Sequence, residues 1–267
     1  MDLGLAQAKA CVQGGSRGMG RAIAEAFAAE GAQVVVLSRG REDLDETVER
    51  LLELGSPEAF GLTVDLHDES TVRDAFAVLG DRWGELNTLV NMAGPVTDFR
   101  PFWEVADEKW LEDYSVGALG MVRCVRHALP LLRRAEWARI VNASATSSRG
   151  HHAGLASYTA AKSATNSISK NMSIELGPEK ILVNTISPGS FATNKRKLAR
   201  LAAEGIDTSD LVAMKEQLSK RVGLRVDVGR LGMAQELGVV ACFVGSKVNS
   251  YMTGANINVD GGTAFYA

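Results

Sequence analysis

The stretch Val12-Gln13-Gly14-Gly15-Ser16-Arg17-Gly18-Met19-Gly20 decides how this chain folds. It follows a short apolar run at 10–13 and opens an amphipathic pattern that continues Arg21-Ala-Ile-Ala-Glu-Ala-Phe27. Glycines at 14, 18 and 20 let a backbone turn tightly and approach a pyrophosphate closely. The helix that begins there offers that anion free N–H groups and the positive end of its dipole. A three-glycine pattern says little alone, but between a strand and a helix it reads as a dinucleotide-binding turn. Gly14, Ser16, Arg17, Gly18, Met19 and Gly20 are therefore candidate cofactor-binding residues.

Outward from this turn, short apolar runs alternate with longer helical patterns. Strands are expected at 10–13, 33–37, 59–64, 88–91, 138–142, 182–186 and 255–259, with helices starting near Gly18, Glu42, Glu69, Asp107, Ala156 and Ala234. Such alternation argues for an α/β fold, a parallel sheet covered on both faces. Asp68 and Asp107 stand where helix caps belong. No repeat or linker divides the chain, so residues 1–267 read as one domain. Residues 194–228 break the rhythm, being helical without a strand and carrying Lys195, Arg196, Lys197, Arg200, Lys215, Lys220, Arg221 and Arg225. An insertion there is expected to form a lid over the ligand crevice, the bland alternative being a solvated excursion.

The expected second strand ends in Ser38-Arg39, where a cofactor with a free adenosine ribose would meet an acidic residue. A hydroxyl and a guanidinium, with Arg17 close by in the turn, suit a dianionic 2′-phosphate instead. The expectation is NADP(H) rather than NAD(H).

Tyr158-Thr159-Ala160-Ala161-Lys162 places a phenol and an ammonium one helical turn apart on one face. A nearby cation favours the phenolate and eases proton exchange, so the pair suits a carbonyl or alcohol substrate.

Composition is that of an ordinary soluble domain: 46% hydrophobic, 23% charged, net charge −3. That balance gives no general attraction to nucleic acid or anionic membrane, and no run of about 18 apolar residues could span one. The odd, widely spaced Cys11, Cys124 and Cys242 read as buried thiols of a cytoplasmic protein, not as a disulfide framework or metal site.

These motifs, with Asp65 after the third strand, Asn91-Met92-Ala93-Gly94, Pro188-Gly189, Gly229-Arg-Leu-Gly232 and Asp260-Gly-Gly262, occur in the order and spacing of the short-chain dehydrogenase/reductase family. Over residues 9–262 the chain resembles its 3-oxoacyl reductase-like branch. The resemblance implies a Rossmann-type doubly wound sheet of seven parallel strands in order 3-2-1-4-5-6-7. It also implies that Asp65 and Leu66 border the adenine and that Asn91, Ala93 and Gly94 line the cofactor path. Tyr158 would exchange the substrate proton, Lys162 would hold the nicotinamide ribose and lower the tyrosine's pKa, and Pro188, Gly189, Phe191 and Thr193 would wrap the nicotinamide. A homotetramer or homodimer is implied, built through the helices containing Met121 and Ser167 and the last strand. The partner is a small carbonyl or alcohol; the basic residues of 195–225 suggest an acyl thioester carrier, the alternative being a lid whose charges merely face water.

The chain departs from the family's pattern at two places. The active serine stands thirteen positions before the tyrosine, and here that residue is Ala145, with Ser144, Thr146 and Ser147 around it. Side chains alternate along a strand, so Ser144 or Thr146 would need a bulge to replace it. Gly117 occupies the place of an asparagine that holds a relay water. His151 and His152 precede Tyr158 and either line the cleft or are loop histidines. Two readings therefore stand: a working oxidoreductase with a rearranged oxyanion site, or a weak or inactive cofactor-binding subunit.

Overall fold

A computed structural model describes residues 1–97, 99–193 and 195–263. Asn194 and the side chains of Lys195, Arg196 and Lys197, which belong to the expected lid, lie outside the described residues.

Seven short strands form one sheet: β1 (Lys9–Gln13), β2 (Gln33–Ser38), β3 (Ala59–Thr63), β4 (Thr88–Asn91), β5 (Ala138–Ala143), β6 (Ile181–Pro188) and β7 (Asn256–Val259). All pairings are parallel, in the order β3-β2-β1-β4-β5-β6-β7. The central strands are buried on both faces, so apolar residues run consecutively rather than alternating, with Thr88, Asn91, Arg139 and Asn142 as buried polar residues of β4 and β5. Nine α-helices are described: α1 (Gly18–Ala29), α2 (Arg41–Glu53), α3 (Glu69–Trp83), α4 (Asp107–Tyr114), α5 (Gly120–Leu132), α6 (Ala156–Leu176), α7 (Lys195–Ala203), α8 (Leu211–Val222) and α9 (Ala234–Val244).

One face of the sheet is covered by a layer in which Ile23 and Phe27 of α1 and Leu237 and Ala241 of α9 pack on Val12, Val34 and Val141. The other is covered by Val72, Phe76 and Leu79 of α3 and Cys124, Val125 and Leu131 of α5 over Val35, Leu89 and Ile140. All three cysteines are free and buried, and burial pushes Cys124 and Cys242 up to about 12, leaving inert thiols.

Asp68 caps α3 by accepting from the Ser70 amide. Asp107 does not cap α4. It lies inside the first turn, and Ala106 stands at the cap without a side-chain bond. There Asp107 meets the positive end of the dipole, which satisfies the same preference for an acid without a hydrogen bond. A π turn at Ser115–Leu119 joins α4 to α5. The 194–228 region contains α7 and α8, held by a small cluster of Leu201, Met214, Leu218 and Leu231. No helix among the described residues is long and apolar enough to cross a membrane.

Candidate active site

Strand order reverses between β1 and β4, and a crevice opens beyond the carboxyl ends of neighbours at such a point. A cavity of about 290 Å³ lies there, walled by the glycine turn, Ser38 and Arg39 after β2, Asp65 to His67 after β3, Met92 to Val96 after β4, and Glu112, Asp113 and Val116 opposite. Gly14 has φ +77°, and a Cβ on it would meet the Ala93 nitrogen at 2.6 Å. A Cβ on Gly20 would stand 2.0 Å from the Gly14 carbonyl oxygen. No side chain caps α1 and its first turn carries no acid, which leaves an end suited to an anion. Ser16 donates to the Ser38 hydroxyl at 2.8 Å. Arg17 and Arg39, both exposed, reach the same end of the cavity, and neither has an acidic partner among the described residues. The donor set fits a phosphorylated dinucleotide: a glycine cradle for a pyrophosphate, and two free guanidiniums for a further phosphate.

Behind Gly94 of the cavity wall stands the tyrosine–lysine pair. Lys162 is buried and its Nζ donates to the Ala143 carbonyl at 2.7 Å. It passes so close beneath Gly94 that a Cβ there would lie 2.6 Å from Nζ. Tyr158, one turn earlier, is half-buried. Burial first, and then the negative charge of Asp113, push its phenol up to about 12, while burial brings the Lys162 ammonium down to about 8. The sequence had suggested a tyrosine lowered by its lysine. Among the described residues the direction is opposite, because withdrawal from water outweighs the single cation.

A family model described as "Enoyl-(Acyl carrier protein) reductase" matches residues 14–264. The chain is 33% identical to the short-chain reductase protein NovJ of Streptomyces niveus, over 95% of this chain and 92% of that one. This chain belongs to the short-chain dehydrogenase/reductase family. Its fold is shared, with a TM-score of 0.91 and 27% identity over all of both chains, by L-sorbose reductase from Gluconobacter frateurii, solved with NADPH and L-sorbose. The NADP complex of RhlG from Pseudomonas aeruginosa is similar as well, at a TM-score of 0.86 and 28% identity over 99% of each chain.

Several residues that the family pattern suggested for the cofactor sit apart from that wall. Asn91 is buried with its amide donating to Asn142, which in turn donates to Ser169, so its side chain ties β4 to β5 and α6. The Asn91 Oδ1 is buried without a partner among the described residues. Phe191 is part of the core and packs against Gly232, where a Cβ would meet its ring at 2.6 Å. Pro188 accepts from Thr146, and Gly189 backs onto Asp260. Thr193 reaches the glycine turn, its Cβ being 3.5 Å from where one on Gly18 would stand. Asp65 accepts from the His67 amide, Leu66 packs against Gly120, and Ala93 donates to the Gln13 side chain at 3.1 Å.

Around Ala145, the hydroxyls are committed elsewhere. Ser144 donates to the Lys162 carbonyl at 3.0 Å, Thr146 to the Pro188 carbonyl at 3.3 Å and Ser148 to the Ala145 carbonyl at 2.7 Å. Ser147 differs, its buried Oγ having no partner among the described residues. A Cβ on Gly117 would meet Pro95 at 3.0 Å and Ala161 at 3.2 Å, so a side chain there would press on both. His151 and His152 are exposed. The first contacts the Ser147 carbonyl, while the second bridges to the Val222 carbonyl of α8 at 3.1 Å and lies edge-on to Phe99.

Among the wall residues missed from sequence are Gln13 and Asp113. Gln13 looked like the last residue of a strand, and nothing distinguishes it there. Asp113 has a faint signal: it lies four residues after Lys109 and four before Gly117, on one helix face.

Proposed function

We propose that this protein is an NADP(H)-dependent oxidoreductase interconverting a ketone and a secondary alcohol. The observation that carries this reading is the buried Lys162 ammonium, one turn from Tyr158, seated under Gly94, a wall residue of the cavity that also bears Arg17 and Arg39. NADPH, when bound, supplies the hydride that adds to the carbonyl carbon. Tyr158 donates its phenolic proton to the carbonyl oxygen, and in the reverse direction the tyrosinate takes the proton from the alcohol. Lys162 holds the nicotinamide ribose and offsets charge on the tyrosinate. The glycine turn and α1 bind the pyrophosphate, and Arg17 with Arg39 bind the 2′-phosphate. Residues 194–228 close over the substrate, and the working assembly is a homotetramer or homodimer in the cytoplasm. Substrates to try include ketoses and 3-oxoacyl thioesters, as the names of similar proteins suggest.

A second reading, a weak or inactive cofactor-binding subunit, is favoured by Ala145 together with the commitment of Ser144, Thr146 and Ser148 to carbonyls. Turnover discriminates. Purified protein that consumes NADPH with a member of a broad carbonyl panel supports the enzyme, whereas NADPH binding without any turnover supports the subunit.

A further inference from the structure

Asp113 is a carboxylate with 1% of its surface exposed, set in the last turn of α4. A buried carboxylate is costly to keep unless it is paired and fully hydrogen-bonded. Both oxygens are satisfied. Oδ1 pairs with the ammonium of Lys109, one turn earlier on the same helix. Oδ2 accepts from the Ser157 hydroxyl at 2.7 Å, and this second bond is not local. Ser157 lies in the first turn of α6 and immediately precedes Tyr158, so one carboxylate stitches α4 to the start of the helix that carries the tyrosine. The same residue forms part of the cavity wall.

The charge near this point is net negative. Lys109 also meets Glu112 at 3.3 Å, so one cation faces two carboxylates. On its own helix Tyr158 has Lys162. Of the other segments packed on that part of α6, the π turn, the turn at Thr146–Ser148 and β6 contain no titratable side chain. Arg139 of β5 and Glu179 after α6 belong to distant ends of their segments, and His151 and His152 bond the Ser147 and Val222 carbonyls.

We propose that Asp113 is a positioning residue for the reaction: it fixes the first turn of α6 through Ser157, and its charge keeps Tyr158 in the phenol form, ready to give a proton. The inference rests on Tyr158 being the proton carrier of the proposed reaction. A negative charge nearby disfavours the tyrosinate, and burial acts in the same direction. It is also the charge of Asp113, after burial, that raises the phenol.

The test is an ultraviolet titration of tyrosinate in the NADP-saturated protein, with the Tyr158 signal isolated by subtracting the Tyr158→Phe variant. Asp113→Asn keeps a hydrogen-bonding partner for Ser157 and removes the charge. It is expected to lower the Tyr158 midpoint by about one pH unit. Ser157→Ala removes the bond and keeps the charge, and is expected to leave the midpoint within about a third of that shift. Lys109→Gln leaves the carboxylates uncompensated and should move the midpoint upward, which provides a reading even if Asp113→Asn does not fold. Equal shifts in Asp113→Asn and Ser157→Ala, or no shift in Asp113→Asn and Lys109→Gln, would overturn the proposal by reducing Asp113 to a structural tie. The titration needs no substrate, so a protein that reduces no carbonyl would defeat the proposed function while the midpoints still decide the role of Asp113.

Discussion

Gly94→Ala perturbs the site at its narrowest point while sparing the fold. The new methyl would stand 2.6 Å from Lys162 Nζ and 3.0 Å from Cε, short of an ordinary 3.4 Å contact by about 0.8 Å at the nitrogen. The obstructing atoms are the free end of a flexible side chain, and Gly94 has no positive φ, so the backbone need not move. Lys162 therefore yields, and its 2.7 Å bond to the Ala143 carbonyl breaks. Loss of one such bond costs about 1 kcal/mol, partly offset by about 0.5 kcal/mol from a less flexible unfolded chain. For a chain of this size that amounts to a fall in Tm of no more than about 4 °C. The chemistry should suffer far more, since a displacement near 1 Å of a group that orients the reaction costs about 10²-fold. The assay is paired: kcat for NADPH-dependent carbonyl reduction against Tm by calorimetry. A variant with wild-type kcat and an unchanged Tm would refute the placement of Lys162 under Gly94, and a kcat loss fully matched by unfolding would refute its catalytic use.

Other outcomes follow from particular contacts. Arg39→Ala should weaken NADPH binding by about 10- to 100-fold while barely changing NADH, because a charge-assisted bond to the extra phosphate is lost. Calorimetric titration that finds equal losses for both cofactors would rule out the 2′-phosphate role. Lys162 has its folded pKa depressed by burial from 10.5 to about 8, so its stabilising contribution is complete above 10.5 and lost as pH falls through 8. Lys162→Met, which carries no charge to bury, should therefore gain on the wild type by about 2–3 kcal/mol at pH 7 and lose that advantage towards pH 10 in urea unfolding. A difference independent of pH would mean that burial does not depress the Lys162 pKa. Ala145→Ser should raise kcat, by up to about 10²-fold, through one further donor to the developing oxyanion. A fall in kcat would mean that the site is built around alanine, with the unpartnered Ser147 as the donor to examine next.

The sheet was legible because buried parallel strands are short and apolar, and each expected strand reappears with ends shifted by at most two residues. The glycine turn was legible for a similar reason, since Gly14 and Gly20 meet backbone that no side chain could share. Direction of side chains was harder to read. Asn91 ends β4, while Ser144 and Phe191 follow β5 and β6, yet each turns into the protein, where a partner or an apolar pocket is available. Asp107 was read as a cap because sequence distinguishes the cap from the first turn only weakly, both positions favouring an acid. Asp113 escaped notice because a carboxylate four residues from a lysine on an amphipathic helix reads as a solvated ion pair. Only the packing of α4 on α6 reveals that it is enclosed.

The central claim is that the Tyr158 hydroxyl carries the proton during hydride transfer, and single-turnover reduction of a carbonyl substrate by wild type and Tyr158→Phe, both loaded with NADPH, tests it most directly. The expected result is a hydride-transfer rate lower by about 10²–10⁴ in the variant, with NADPH affinity unchanged. Equal single-turnover rates in the two proteins would contradict the account.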